Sequence, residues 1–208
     1  LAFKPAKFIK SPSLTSISPV SNFEATSSAI ETSFGSELAI WTNEFLKLHP
    51  FGMVPAGFAK NGKVGIFESN SIMRAVSRAG EKAHMLYGTD IFESSRIDSF
   101  LDQSLIFAIS SQKYHLSLLN NRDNVDNDAH RQAETAMRTY LSGIENALTA
   151  FAKATFIMGE TLTLIDIAYA CELCMFAGEK PAIQKLKSAE KAPVFSTIND
   201  FPECLKLL

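Results

Sequence analysis

The segments Phe51-Gly52-Met53-Val54-Pro55-Ala56 and Ile66-Phe67-Glu68-Ser69-Asn70-Ser71-Ile72 decide the fold of this chain. Pro55 has a fixed φ and no N–H, so it suits the first residue of a strand or a turn. Between the segments, Asn61-Gly62 is a strong hairpin signal, because both central residues of such a turn need a positive φ. The sequence therefore predicts two strands, Pro55–Ala59 and Val64–Phe67, joined by a tight turn.

Glu68 and Ser69 fall where the second strand ends and a helix, predicted over Asn70–Arg78, begins. Free N–H groups, the helix dipole and a hydroxyl at such a point can together hold a carboxylate. A serine in this position also commonly does no more than cap the helix. The pattern therefore predicts either a small-anion or peptide-carboxylate site, or a helix cap alone.

Long amphipathic helices are predicted from Asp90 onward, because apolar residues recur there at helical intervals. The polar run Asn120–Asn124 interrupts this pattern, which resumes over Asp128–Phe151. A small α/β unit followed by an all-helical unit is therefore expected.

Thr163 and Asp166 form a variant of the capping box, which predicts that a further helix begins between them. Leu164–Phe176 is almost wholly apolar, as expected of a helix that is buried on all sides. Cys171 and Cys174 have the Cys-x-x-Cys spacing of metal and redox sites, but no second Cys or His pair with matching spacing completes a zinc site. We therefore predict no metal site.

The composition excludes some functional classes. The net charge of −2 over 208 residues provides no basic surface for direct nucleic-acid binding. No run of 18 apolar residues occurs, so no membrane span is expected. The cysteine count, 3, is odd, and suggests reduced thiols in a reducing compartment rather than a disulfide framework. We expect a cytoplasmic protein. The first 23 residues carry lysines and serines but no acid, which is typical of a transit peptide; we favour the alternative that they form the first strand and helix.

Val54-Pro55, followed by Glu68-Ser69 at a strand-to-helix turn, resembles the glutathione-binding half of glutathione-S-transferase-like proteins. Phe156–Ala168 is similar to the capping box and hydrophobic staple that open the central helix of that family. Leu86–Asp90 and Ser95–Asp102 are similar to the domain junction of one branch, the gamma subunit of eukaryotic translation elongation factor 1. The resemblance covers roughly residues 40–175.

The resemblance implies a fold of class α/β plus all-α. A thioredoxin-like βαβαββα domain would cover residues 1–81, a linker 82–89 and an all-helical domain 90–208. It also implies a glutathione site, in which Glu68 and Ser69 hold the γ-glutamyl end and the backbone of Val54 pairs with the cysteinyl part. Pro55 would follow a cis peptide bond. No cofactor is required, and glutathione is the ligand to test.

Two departures from the family pattern weigh against transferase activity. Met53 stands where many relatives have a Lys or Gln that helps to hold glutathione. A transferase also needs a hydroxyl or thiol just after the first strand to stabilise the glutathione thiolate. Phe3-Lys4-Pro5-Ala6-Lys7 supplies neither, and the first hydroxyl is that of Ser11. We therefore predict no catalytic residue.

Three functions remain open at this point. The first is a non-catalytic scaffold domain of elongation factor 1 gamma, which would anchor the nucleotide-exchange subunits and form a homodimer or hetero-complex through the helix that begins near Asp90. The second is an active glutathione transferase. The third, suggested by the N-terminal composition, is a transferase-like sensor or plastid protein.

Overall fold

The computed structural model describes residues 23–24, 43–59, 63–79, 86–120, 125–150 and 154–208. By its internal contacts the chain divides into two compact units, the first ending at Phe67 and the second beginning at Glu68. The domain boundaries predicted at residues 81 and 90 stay a prediction. The first strand and helix were expected in the first 23 residues, of which 1–22 lie outside the described residues.

The described part of the first unit contains a small antiparallel sheet and one short helix. Its elements are β1 (Phe23–Glu24), α1 (Asn43–Leu48), β2 (Ala56–Ala59) and β3 (Gly65–Phe67), and the strand order is β1-β2-β3. Ala56 pairs with Phe67 and Phe58 with Gly65, so the predicted hairpin is confirmed, with each strand one residue shorter at its start. The Asn61-Gly62 turn itself lies outside the described residues.

Close packing of α1 on β3 explains the glycine at position 65. A Cβ atom added to Gly65 would lie 2.1 Å from the backbone oxygen of Leu48, so no larger residue fits there without moving the helix. Aromatic rings fill the space beside this contact. The His49 ring is buried and lies with its centroid 5.4 Å from that of Phe45 and 5.0 Å from that of Phe67.

The second unit is all-helical. Its elements are α2 (Ser69–Ala79), α3 (Ile91–Asn120), α4 (Asn127–Thr149), α5 (Leu164–Met175), a 3-10 helix (Phe176–Ala182), α6 (Ile183–Ser188), a second 3-10 helix (Val194–Asp200) and α7 (Pro202–Lys206). The long helices predicted from Asp90 onward are confirmed, and the first of them ends at Asn120, where the predicted polar run begins. Residues 121–124 of that run lie outside the described residues. Within the described part of the chain, no helix is both long and apolar enough to cross a membrane.

The two long helices begin at aspartate caps. Oδ1 of Asp90 accepts hydrogen bonds from the backbone N–H groups of Phe92 (2.7 Å) and Glu93 (2.9 Å). Oδ1 of Asp126 accepts one from Ala129, at 3.0 Å. These bonds satisfy N–H groups that the first turn of a helix otherwise leaves unpaired. The helix starts are therefore set locally, by side chains that the sequence places at the right positions.

The core of the second unit lies where α3, α4 and α5 meet. Fully buried side chains of this core include Leu101, Tyr114, Met137, Leu141, Ile144, Ile165, Tyr169 and Leu173. The rings of Phe107 and Tyr140 stack across the contact of α3 with α4, with centroids 4.6 Å apart. Continuous packing of this kind supplies most of the stability of a helical unit.

The capping box predicted at the start of α5 is confirmed. Oδ2 of Asp166 accepts hydrogen bonds from the N–H of Thr163 (2.8 Å) and from its hydroxyl (3.0 Å). Oδ1 accepts a third bond, from the N–H of Ile157 at 2.8 Å. The carboxylate therefore starts the helix and also fixes the chain that leads to it.

The prediction that residues 164–176 are buried on all sides is wrong. Ala170, Cys171, Cys174 and Met175 are exposed, whereas Leu164, Ile165, Ala168 and Leu173 are buried. The error arises because the exposed face consists of alanine, cysteine and methionine, whose hydropathy resembles that of the core face. An apolar composition without a polar stripe therefore does not establish complete burial.

Candidate functional site

Val54 and Pro55 lie in the first unit, in the loop before β2. The peptide bond between them is cis, as predicted. Met53, Val54 and Pro55 are all exposed, and the side chain of Met53 is 55% accessible. Among the described residues, no backbone hydrogen bond engages Val54. The residue lies in a bend two positions before β2, and its exposure leaves it accessible to a ligand.

Glu68 and Ser69 open the second unit. The carbonyl of Glu68 accepts a hydrogen bond from the N–H of Ile72 at 3.0 Å, so Glu68 occupies the N-cap position and Ser69 is the first residue of α2. The helix thus starts one residue earlier than predicted, and Glu68, not Ser69, is the cap. Both side chains are exposed.

The backbone of Glu68 is strained. Its φ is +67°, in the left-handed region that non-glycine residues seldom adopt. Such a conformation costs about 1–3 kcal/mol and persists only where the surrounding structure enforces it. Among the described residues, Glu190, with a φ of +55°, shares it. The free N–H groups of the first turn of α2, an 11-residue helix, follow Glu68 directly. An anion placed there would be stabilised by these donors and by the helix dipole.

A buried asparagine holds the first turn of α2 against α3. Nδ2 of Asn70 donates hydrogen bonds to the carbonyl oxygen of Leu101 and, at 3.2 Å, to Oγ of Ser104. Asn70 and Ser104 are both almost fully buried. The position of Glu68 and Ser69 therefore depends on a polar contact inside the second unit as well as on apolar packing.

A charged network continues this contact along α2. The guanidinium of Arg74 donates to the carboxylates of Asp98 and Asp102. The hydroxyl of Tyr87 donates to Asp98 at 2.7 Å and accepts from Arg78 at 2.9 Å. Burial, followed by the hydrogen bond to Asp98, raises the pKa of Tyr87. The network therefore holds α2 against α3 through charged hydrogen bonds.

This network was not predicted from the sequence, although a signal for it exists. Asn70, Arg74 and Arg78 recur every four residues, so they share one face of α2. Asp98 and Asp102 are also four residues apart and share a face of α3. Polar faces of opposite charge on two helices indicate that the helices contact each other. This signal is visible only when the two helices are compared with each other, and not when each helix is considered alone.

Of the residues that the sequence offered for catalysis or metal binding, the structure describes only the cysteines. Lys4, Lys7 and Ser11 lie outside the described residues. Cys171 and Cys174 are exposed and free, and Cys204 is buried and free. No group of three or more His, Cys, Asp or Glu side chains that could hold a metal ion occurs in the described ranges.

Comparison with known structures establishes the fold. Glutathione transferase F2 from Populus trichocarpa is similar to this chain with a TM-score of 0.56 and 23% sequence identity, over 81% of this chain and 80% of that one. Isozyme E7 of glutathione S-transferase from Drosophila melanogaster has a TM-score of 0.55 and 17% identity, over 81% and 67% of the two chains. The chain therefore has the glutathione transferase fold, a thioredoxin-like domain followed by a helical one, as predicted.

Comparison with curated sequences points to one branch of that fold. No protein-family model matches the chain. Probable elongation factor 1-gamma 2 of Arabidopsis thaliana is 32% identical over 130 residues, which is 62% of this chain and 30% of that protein. Elongation factor 1-gamma-A of Xenopus laevis is 31% identical over 151 residues, 71% of this chain and 31% of that protein.

These relatives confirm the resemblance to glutathione-transferase-like proteins of the elongation factor 1 gamma branch. The chain spans about 30% of the length of the curated relatives it matches. The similarity therefore concerns only part of those proteins, and their activities as whole proteins do not transfer with it.

Proposed function

We propose that this chain is a transferase-like scaffold domain of a translation elongation factor 1 complex. It would act in the cytoplasm and anchor the nucleotide-exchange subunits through protein contacts, without binding nucleic acid directly. The observation that carries the proposal is the 31–32% identity to elongation factor 1-gamma proteins of a plant and of a vertebrate. The net charge of −2 agrees with binding through proteins rather than through RNA.

An exposed apolar surface on α3 supports the proposed protein contacts. We name it the α3 stripe and define it by four side chains that are each about half exposed or more: Ile106 (57%), Ile109 (63%), Leu116 (49%) and Leu119 (71%). These positions are 3, 7 and 3 residues apart, so each lies close to the next on the helix surface. The stripe is about 20 Å long and winds about 140° around α3 from its first residue to its last.

A groove beside the stripe offers space for side chains of that partner. It lies between α3 and α4 and has a volume of about 550 Å³. Ile106 belongs to both the stripe and the groove, and Phe107, Thr135, Ala136 and Tyr140 also line it. A partner helix on the stripe could therefore place apolar side chains in the groove.

Lysine at two positions of the stripe should break the complex. The double substitution Ile106→Lys, Ile109→Lys removes two apolar side chains from the proposed contact, each worth about 1.5–3 kcal/mol when buried. We expect the affinity for a nucleotide-exchange subunit to fall by a factor of about 10–100 or more. Light scattering after gel filtration, with calorimetric titration of the subunit, measures self-association and the affinity.

The matched control for this experiment is Leu205→Lys, at an exposed apolar residue of α7 (45% exposed) outside the stripe. Leu205→Lys should change neither the self-association of the chain nor its affinity for the nucleotide-exchange subunit. Far-UV circular dichroism should show equal helix content in all three proteins. Unchanged binding by the double variant would exclude the stripe as the docking surface, and a strict monomer at high concentration would exclude the homodimer.

We extend the proposal to a retained glutathione pocket that uses Val54, Pro55, Glu68 and Ser69. Two backbone features support it. Val54 is exposed and precedes a cis bond to Pro55. Glu68 has a strained left-handed conformation directly before the start of α2. Capping the helix does not require this strain, because a residue with an unstrained backbone can also cap a helix. A tripeptide thiol with a free γ-glutamyl carboxylate is the ligand that these groups would accept.

Substitution of Ser69 tests the pocket. Ser69→Ala removes one hydroxyl donor to the bound carboxylate, and a hydrogen bond to a charged group is worth about 1.5–3 kcal/mol. We expect the dissociation constant of glutathione to rise by a factor of about 10 or more. Calorimetric titration measures it, with Ser99→Ala, at an exposed serine of α3, as the control that should leave it unchanged. Equal affinity of Ser69→Ala and the parent protein would remove the pocket from the proposal.

A conjugation assay with a generic aryl halide separates scaffold from enzyme. Because the sequence supplies no hydroxyl or thiol directly after its first predicted strand, we expect no turnover above the rate in solution, even with glutathione bound. Turnover would instead support the alternative function, an active glutathione transferase that uses an atypical thiolate stabiliser.

A further inference from the structure

Cys171 and Cys174 form a pair on α5 that the proposed function does not use. Both thiols are free and both side chains are exposed. Residues three apart in an α-helix lie on the same face, one turn above the other. The two thiols therefore face solvent side by side.

The spacing of the pair permits a covalent bridge. Cα atoms three residues apart in an α-helix are about 5 Å apart, within the range of about 4.4–6.8 Å that a disulfide spans. Their Cβ atoms are about 5–6 Å apart, whereas a disulfide brings them to about 4 Å. The turn that carries the pair must therefore adjust slightly when the bridge forms.

The pair lies at the end of α5, where the backbone can adjust more easily than in the middle of a helix. The helix ends at Met175, one residue after Cys174. The N–H of Phe176 is shared between the carbonyls of Cys174 and Leu173, and the chain continues as a 3-10 helix. The last turn of α5 is thus already at a change of helix type, where hydrogen bonding is less regular than in the middle of a helix.

Cys204 differs from the pair in its burial and in its hydrogen bonding. It is fully buried, and its Sγ donates a hydrogen bond to the carbonyl of Leu141 at 3.3 Å. Burial, with the nearby carboxylate of Glu145, raises the pKa of the Cys204 thiol to about 12. A buried thiol of this kind is chemically inert. The chain therefore contains its own unreactive reference cysteine.

We propose that Cys171 and Cys174 are a dithiol site that low-molecular-weight disulfides oxidise to an intrahelical disulfide. In the first step one cysteine thiolate attacks the small disulfide, whose S–S bond breaks and releases one small thiolate. In the second step the other cysteine thiolate attacks the mixed disulfide at the cysteine sulfur and releases the second small thiolate. The two protons lost by the cysteines are taken up by the two released thiolates, and the small disulfide gains the two electrons.

The bridge is a reversible modification. An exposed disulfide whose geometry is strained has a more oxidising potential than a structural one, so small thiols reduce it readily. Since the pair lies outside the proposed partner and glutathione contacts, its oxidation is a separate property of the chain.

The test uses the folded chain and 2-hydroxyethyl disulfide, which lacks the γ-glutamyl group that the proposed glutathione pocket would bind. After alkylation of the remaining thiols, peptide mass spectrometry assigns the state of each cysteine. We expect the parent protein to lose two of its three free thiols to a Cys171–Cys174 bridge, while Cys204 is alkylated only after denaturation. Reduced glutathione should then restore both thiols.

The single variants Cys171→Ser and Cys174→Ser are the controls. Each should stop at the mixed disulfide and carry one 2-hydroxyethylthio group on the sulfur of its remaining exposed cysteine. Phenylarsine oxide, which bridges two close thiols, should protect the parent protein from alkylation but neither variant. Two stable mixed disulfides on the parent protein, or a bridge that involves Cys204, would overturn the proposal.

Discussion

Glu179→Ala should lower the free energy of unfolding by about 3–4 kcal/mol, because it leaves three hydrogen-bond donors without an acceptor. The buried Glu179 carboxylate accepts from the hydroxyl of Tyr114 (2.6 Å) and from the N–H groups of Val194 (2.7 Å) and Phe195 (3.1 Å). It thereby joins α3 to both 3-10 helices of the second unit. Burial raises the pKa of Glu179, and the three donors oppose this shift. Urea denaturation followed by far-UV circular dichroism measures the loss.

Two further variants separate this effect from a general sensitivity of the fold. Glu160→Ala, at an exposed glutamate, should change the unfolding free energy by less than about 0.5 kcal/mol. Tyr114→Phe removes one donor and should cost less in the Glu179→Ala background than in the parent protein, with a coupling of about 1–2 kcal/mol. Additive effects of the two substitutions would show that the Tyr114–Glu179 hydrogen bond does not stabilise the chain.

Short-range signals were sufficient to predict several elements from the sequence. The hairpin follows from Asn61-Gly62 between two apolar runs, and the start of α5 follows from Thr163 and Asp166. Both depend on residues close in the chain, so the physical causes are contained in a short window. The cis bond before Pro55 was predicted only through the family resemblance.

Contacts between residues that are far apart in the chain could not be predicted from short windows of sequence. The acceptor role of Glu179 depends on Tyr114, 65 positions away, and the hydrogen bond from Asn70 to Leu101 joins residues 31 positions apart. The exposure of Cys171 likewise depends on which face of α5 packs on its neighbours. Periodicity describes one helix at a time, and these features arise only when helices are paired.

Asp166→Ala should also cost about 3–4 kcal/mol, which is more than the loss of an ordinary helix cap. The carboxylate accepts three hydrogen bonds, from the N–H groups of Ile157 and Thr163 and from the Thr163 hydroxyl. Thr163→Ala removes only the hydroxyl and should cost about 0.5–2 kcal/mol. The difference between the two variants, measured by urea denaturation, is the contribution of the backbone donors.

The bond from Ile157 is what distinguishes this cap from a local one. Asp166→Asn keeps one acceptor oxygen and replaces the other with an NH₂ group, which cannot accept from either backbone N–H. We therefore expect an intermediate loss for Asp166→Asn, because the amide satisfies Ile157 or Thr163 but not both. Equal losses for Asp166→Ala and Thr163→Ala would mean that the carboxylate only caps α5. A larger loss for Asp166→Ala would mean that it also holds the chain before the helix against the core.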